Sequence, residues 1–366
     1  MTEHRTPLEA KIRARIARNG PISVAEFMAM CLYDPEHGYY NRRAPFGAGG
    51  DFVTAPEISQ MFGELIGLWA ADVWRLLGAP DPVALIEFGP GRGTMMKDAL
   101  RAARAVPGFL RAVRVHLIET SPELRSWQHR TLSGVDVALR WDASIDDVPT
   151  APAIMVANEF FDALPIHQAE RRRTGWHERT VAVDAHDALT LTVGRDPLPG
   201  LGPELPPAAA HARIGEIFEW RPPQRAIEIA RRAAAGGAAL LIDYGHIKSA
   251  TGDTFQAVRS HHFANPLALP GLTDLTAHVD FEALGKAGQE AGARVHGPIE
   301  QGTWLKRLGI DARAAVLRAN ATESQRADIA AALDRLTGTG PDQMGSLFKV
   351  VGFSAPQIAQ LPGFGP

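Results

Sequence analysis

Cysteine is almost absent: Cys31 is the only one in 366 residues. That excludes an internal disulfide and fits a reducing compartment, with the thiol read as a small buried apolar group. No apolar run reaches the ~18 residues that suggest a membrane span, so membrane insertion is not expected. Positive charge is not in excess either. The formal net charge is −3, without the global basic bias that draws a chain onto nucleic acid or anionic lipid. The N-terminal "MTEHRTPLEAKIRARIARNG" is Arg-rich and amphipathic but lacks a signal-peptide core, and Glu3 and Glu9 argue against a transit peptide. The expectation is a cytoplasmic protein.

Several catalytic signatures are missing too. There is no G-x-x-x-x-G-K-[ST] phosphate loop, no G-x-S-x-G nucleophile elbow, no C-x-x-C pair and no H-E-x-x-H. The adjacent His261 and His262 come nearest to a metal cluster, but neighbouring side chains rarely converge on one ion. No metal is expected.

What the chain has is 45% hydrophobic content, enough for a core larger than one ordinary domain needs. Residues 8–18 and 23–32 read as two short helices broken by Asn-Gly-Pro, with Ser23 as an N-cap. Residues 34–59, rich in Gly, Pro and aromatics, form a long loop of the kind used as a lid or binding segment. An amphipathic helix then runs from 58 to about Leu77. Beyond it strands alternate with helices: strands at 83–88, 113–119, 135–141 and 153–157, helices from Thr94 to about Ala105 and over 121–130. A further helix at 225–237 leads to a strand at 238–245, and a last strand at 346–353 can pair at or near the sheet edge. Such alternation predicts an α/β fold, a mostly parallel Rossmann-like sheet with helices on both faces.

Two segments break the alternation: a β-hairpin pattern at 179–193 within 168–223, and a mainly helical stretch at 301–340. The expected organisation is N-terminal helices and lid over 1–80, a cofactor-binding core from 81–167, 224–300 and 341–366, and a smaller substrate-facing lobe from 168–223 and 301–340.

The first strand closes on Glu87 and runs into Gly89, Gly91 and Gly93. A glycine loop between strand and helix cradles a ligand at the helix N-terminus. Here the spacing is G-x-G-x-G rather than the dinucleotide G-x-G-x-x-G, and an acid beside the loop disfavours a pyrophosphate. Glu87 suits instead the ammonium or sulfonium of S-adenosyl-L-methionine. Glu119, at the end of the second strand, is where a carboxylate accepts from a ribose diol; capping of the next helix is its bland alternative. Asp142 follows the third strand, where it is placed either to reach an adenine amino group or to stand as a solvated acid.

The fourth strand opens onto "ANEFFDALP". Asn158 joins the cofactor set. Glu159, two phenylalanines and Asp162 suit a cationic, planar acceptor such as a guanidinium, which pairs with carboxylates and stacks on aromatic faces. Glu159 is the candidate for orienting and polarising it, and Asp162 a second; the alternative for both is that acids in the first turn after a strand stabilise the next helix. His278 in "GLTDLTAHVDF" is a candidate proton acceptor, since an ordinary histidine titrates near neutrality.

The stretches "FMAMCLYDPEHGYY", "GDFVTAPEISQMFGELIGLW", "EFGPGRGTMMKDAL", "ANEFFDALPIH", "LLIDYG" and "DLTAHVDF" resemble, in order and over nearly the whole chain, the MidA family. Its mitochondrial member is a complex I assembly factor and protein arginine methyltransferase. The resemblance implies a class I S-adenosyl-L-methionine-dependent methyltransferase and a protein substrate, for the mitochondrial member a core subunit of NADH:ubiquinone oxidoreductase. It also marks "GDFVTAPEIS" as a lid over cofactor, with Thr54 and Glu57 as contacts. With no evident transit peptide, the chain is expected to be a bacterial relative whose target can differ. Two other readings stay open: a cofactor-binding assembly factor with little catalysis, and a small-molecule methyltransferase.

Overall fold

The computed structural model describes residues 5–41, 54–199, 201, 205–259, 262–341 and 343–365. Residues 42–53 of the loop expected as a lid over 34–59, the His261 half of the histidine pair and part of the Pro-rich tract lie outside the described residues. The chain forms two compact units. One comprises Val53–Phe161, Pro223–Ile247 and Phe281–Pro366, the other Met1–Phe52, Asp162–Pro222 and Lys248–Asp280.

The first unit is built on a sheet whose strands are β1 (Val83–Phe88), β2 (Val113–Ile118), β3 (Ala138–Asp142), β4 (Ala153–Asn158), β5 (Ala238–His246), β6 (Arg294–Glu300) and β7 (Phe348–Ser354). They run in the order β3-β2-β1-β4-β5-β7-β6. Pairings from β3 through β5 are parallel, while β7 is antiparallel to both β5 and β6. Every residue of β1 and β4 is buried. Strands covered on both faces read as continuous apolar runs, which is why these two were plain in the sequence.

Helices α1 (Ala55–Ile58), α2 (Gln60–Leu76), α3 (Thr94–Ala103) and α4 (Pro122–Thr131) precede α5 (Gln224–Ala234) and α6 (Phe281–Glu290). The predicted helix from 58 starts instead at Gln60, because Ser59 is extended and its hydroxyl accepts from the Met61 N–H. Val83, Leu85, Val115, Leu117, Ile154 and Val156 share one core with α2 and α3. A Cβ on Gly67 would lie 2.2 Å from the Ala99 carbonyl oxygen, so only glycine allows α2 and α3 to approach this closely. Side chains alternate along strands, and the opposite face is covered by α5 and α6.

Residues 301–340 depart from the expectation. Their helices, α7 (Gln301–Arg307), α8 (Ile310–Ala319) and α9 (Glu323–Thr337), belong to the sheet unit. Trp304, Leu305, Ile310, Ala314 and Leu336 are buried in the same core as the strands. Apolar periodicity shows that a helix has a buried face, not which core receives it.

The second unit gathers distant stretches. Strands Gly175–Val183 and Leu189–Pro197 form the expected antiparallel hairpin, and His167–Arg172, Ile217–Trp220 and Ile22–Ser23 complete that sheet. Helices Pro7–Asn19 and Val24–Tyr33 supply Leu8, Ile12, Phe27, Met28 and Cys31 to a core shared with Ile166, Val181 and Leu275. Ser23 is the N-cap, accepting from the Glu26 N–H at 3.0 Å.

Candidate active site

The sheet unit brings most of the sequence-predicted residues to the carboxyl ends of β1 to β4, where parallel sheets bind ligands. Gly89, Gly91 and Gly93 hold φ of 58°, 52° and 79°, left-handed values that glycine adopts without cost. The Gly89 N–H donates to the Ile118 carbonyl at 3.1 Å, and the Gly93 N–H to Pro90 at 2.7 Å. The loop is thereby pinned to β2 before α3 begins. A Cβ on Gly91 would meet nothing within 4 Å, whereas one on Gly89 would meet the Phe160 ring at 3.0 Å, so the open space lies beside Gly91.

Glu87 is buried at the end of β1, and burial pushes its carboxyl up to about 8. Among the described residues its Oε2 has no hydrogen-bond partner, and neither has Asn158 Oδ1. Two buried acceptors without donors are costly on their own. They suit a ligand that brings donors or positive charge, and fit the amino-acid end of S-adenosyl-L-methionine better than a pyrophosphate.

Glu119 caps the turn after β2. Its carboxylate accepts from the Ser121 N–H at 2.8 Å and from Gln128 Nε2 at 3.1 Å, and burial is the largest influence raising its carboxyl. Asp142 is more engaged than the sequence suggested: one oxygen takes His116 Nδ1 at 2.7 Å and the other Arg140 Nε at 2.8 Å. Thr54 is the N-cap of α1 without a side-chain cap bond. Glu57, with its carboxyl raised by burial, lies 3.6 Å from Arg92 of the glycine loop. That arginine also sits over the Trp127 ring.

Glu159 follows β4 with φ +49°, unusual for a residue with a side chain and a mark of local strain. Its carboxylate accepts from the Ala55 N–H at 2.9 Å and from Asn158 Nδ2 at 3.2 Å. The turn is held by Asp243, a buried acid on β5 whose Oδ2 accepts from the Phe160 and Phe161 N–H groups at 3.2 and 2.9 Å.

Asp162 and His278, expected near Glu159, belong to the second unit. There Arg221 reaches four carbonyls, those of Asp162, Leu164, Ala277 and His278, at 2.7 to 3.1 Å. This clamp ties the Asp162 and His278 segments to each other.

Sequence reasoning missed Gln128, Asp243 and Arg221. Of the three, only Gln128 left a signal: it stands on the buried face of α4, one turn after Leu124, where an apolar residue is the ordinary choice.

Strand order 3-2-1-4-5-7-6 with an antiparallel seventh strand, a glycine loop after the first and acids closing the first two define a class I S-adenosyl-L-methionine-dependent methyltransferase. Residues 65–299, more than half of the chain, match the profile of a family of S-adenosyl-L-methionine-dependent methyltransferases, and the chain belongs to that MidA-like family. The zebrafish (Danio rerio) relative, "Protein arginine methyltransferase NDUFAF7, mitochondrial", is 37% identical over 96% of this chain and 87% of its own length. The Homo sapiens protein of the same name is 37% identical over 94% and 82%. A Burkholderia thailandensis protein crystallised with S-adenosyl-homocysteine superposes with a TM-score of 0.81 at 28% identity, covering 100% of this chain and 96% of that one. The protein is a methyltransferase, and its cofactor is S-adenosyl-L-methionine. Among the described residues, no helix is long and apolar enough to cross a membrane.

Proposed function

We propose that this chain methylates an arginine of a partner protein, and that the acceptor is a core subunit of NADH:ubiquinone oxidoreductase or a protein like it. The first half is supported by relatives named protein arginine methyltransferases that align over most of the chain. The second half rests on the MidA resemblance carried by the sequence motifs. The observation that carries the reading is Glu159, a carboxylate held in a strained turn beside Phe160 and Phe161 at the end of β4.

In this reading Gly89, Gly91 and Gly93 cradle the cofactor, Glu87 and Asn158 face its amino-acid end, and Glu119 takes the ribose hydroxyls. Asp142 lies toward the adenine, with Thr54 and Glu57 completing the set from α1. Bound S-adenosyl-L-methionine supplies an electrophilic methyl group on a sulfonium. The protein's part is alignment, worth ~7–11 kcal/mol when geometry is good. An arginine stays protonated in proteins, so its nitrogen needs a partner that localises charge and draws off a proton. Glu159 fills that role.

The test is transfer of labelled methyl from S-adenosyl-L-methionine to complex I subunits purified from a strain lacking this chain. Labelled ω-N-methylarginine in the protein hydrolysate is expected. Label only on another residue type, or only on small molecules, would overturn the proposal.

A further inference from the structure

Gln128 is wholly buried, yet its amide is spent on three separate parts of the cofactor region. Nε2 donates to the Gly91 carbonyl at 2.9 Å and to Glu119 Oε2 at 3.1 Å, and Oε1 accepts from the Trp141 indole N–H at 2.8 Å. An amide nitrogen has two donors, so both are used, one on the glycine loop and one on the acid that closes β2. Trp141 is the neighbour of Asp142 on β3, and its ring stacks on His129 at 3.7 Å. One side chain thus links the loop after β1, the acid after β2 and the end of β3.

We infer that Gln128 is a positioning residue for cofactor binding: it fixes the Glu119 carboxylate and the Gly91 carbonyl before the ligand arrives. Preorganised acceptors need no reordering on binding. This rests on the reading of Glu119 as the ribose acceptor. A residue that only filled the core would be a leucine, as at 124. That choice would leave the Gly91 carbonyl, Glu119 Oε2 and the Trp141 N–H without these bonds. The amide must also be neutral. A carboxylate here would stand against Glu119, and two acids sharing one site cannot both ionise cheaply.

The test is calorimetric titration with S-adenosyl-homocysteine of wild type, Gln128→Glu and Glu119→Ala between pH 6 and 9. Gln128→Glu keeps the shape and one donor when protonated, and loses both donors when ionised. Its dissociation constant relative to wild type should be about tenfold higher at pH 8, with the ratio shrinking toward pH 6. Other charged groups nearby are Arg125, whose guanidinium lies on the Glu119 carbonyl, His129 on Trp141, and Glu87. They are present in both proteins, so the ratio reports the added carboxyl together with its coupling to them and to Glu119. A merely structural residue would lower the melting temperature without this pH-dependent ratio.

A folded Gln128→Glu that binds within twofold of wild type throughout, while Glu119→Ala is weakened, overturns the inference and leaves the site reading intact. Unchanged binding by Glu119→Ala overturns the site reading itself. If Gln128→Glu does not fold, Gln128→Asn, which keeps the amide but shortens its reach, takes its place. A pH-independent loss of affinity then supports the inference, and unchanged affinity overturns it.

Discussion

Glu159 is bonded to Ala55: its carboxylate accepts the first backbone N–H of α1 at 2.9 Å. The acid proposed to polarise the acceptor therefore also supports the segment that carries Thr54 and Glu57. Glutamine at 159 keeps an oxygen for Ala55, removes the charge and turns the other oxygen into an NH2 donor. Glu159→Gln is expected to lower the single-turnover methyl-transfer rate by at least ~100-fold, in the range for loss of a positioned acid or base. Affinity for S-adenosyl-homocysteine should stay within about threefold. Unimpaired transfer would remove Glu159 from the chemistry.

Glu87 gives the fold a pH dependence of definite sign. Burial raises its carboxyl from 4.5 to about 8, so between those values the folded chain holds a proton that the unfolded chain releases. Stability contributed by this site falls as pH rises through that window and levels off above it. Denaturation of wild type and Glu87→Gln across pH 4.5–8 should show wild type losing ground by up to about 1.4 kcal/mol per pH unit. A difference that is flat, or that rises with pH, would contradict the assignment.

Asp243 holds the turn after β4 through two backbone N–H groups and accepts a third from Tyr244 at 3.0 Å. Asp243→Ala leaves buried donors without this acceptor, and such groups cost ~1–3 kcal/mol each. A loss of about 2–4 kcal/mol in urea denaturation is expected, together with slower methyl transfer as Glu159 loses its support. A loss below about 1 kcal/mol would show that water or another group replaces the carboxylate.

Trp304 tests where residues 301–340 belong. It is fully buried in the core beneath the parallel strands, and Trp→Ala at such a site costs ~3–5 kcal/mol. Trp304→Ala should lower the denaturation midpoint of the sheet unit, with S-adenosyl-homocysteine binding lost in the same transition. A separate, ligand-independent transition would place these helices outside that unit.

Legibility in the sequence followed the range of the interactions. β1, β4 and β5 are continuous apolar runs, and the Ser23 cap and the glycine loop are local signals, so each could be read directly. Strand β6 was not read: Gly297 and Pro298 interrupt its pattern, which the sheet tolerates because this strand lies at the edge. Unit membership was misread for 301–340 because only long-range packing decides it. Among site residues, Glu87, Glu119 and Glu159 stand at strand ends and are visible by position. Asp243 and Arg221 act by bonding to backbone groups dozens of residues away, which no spacing announces.

The most direct measurement is a crystal structure of the chain grown with S-adenosyl-homocysteine. The account predicts the ligand over Gly89, Gly91 and Gly93, its ribose hydroxyls on Glu119 and its amino group toward Glu87 and Asn158. Density elsewhere, for example in the groove of Arg104, Arg111 and Arg114, or a bound ligand that leaves Glu119 untouched, would contradict it.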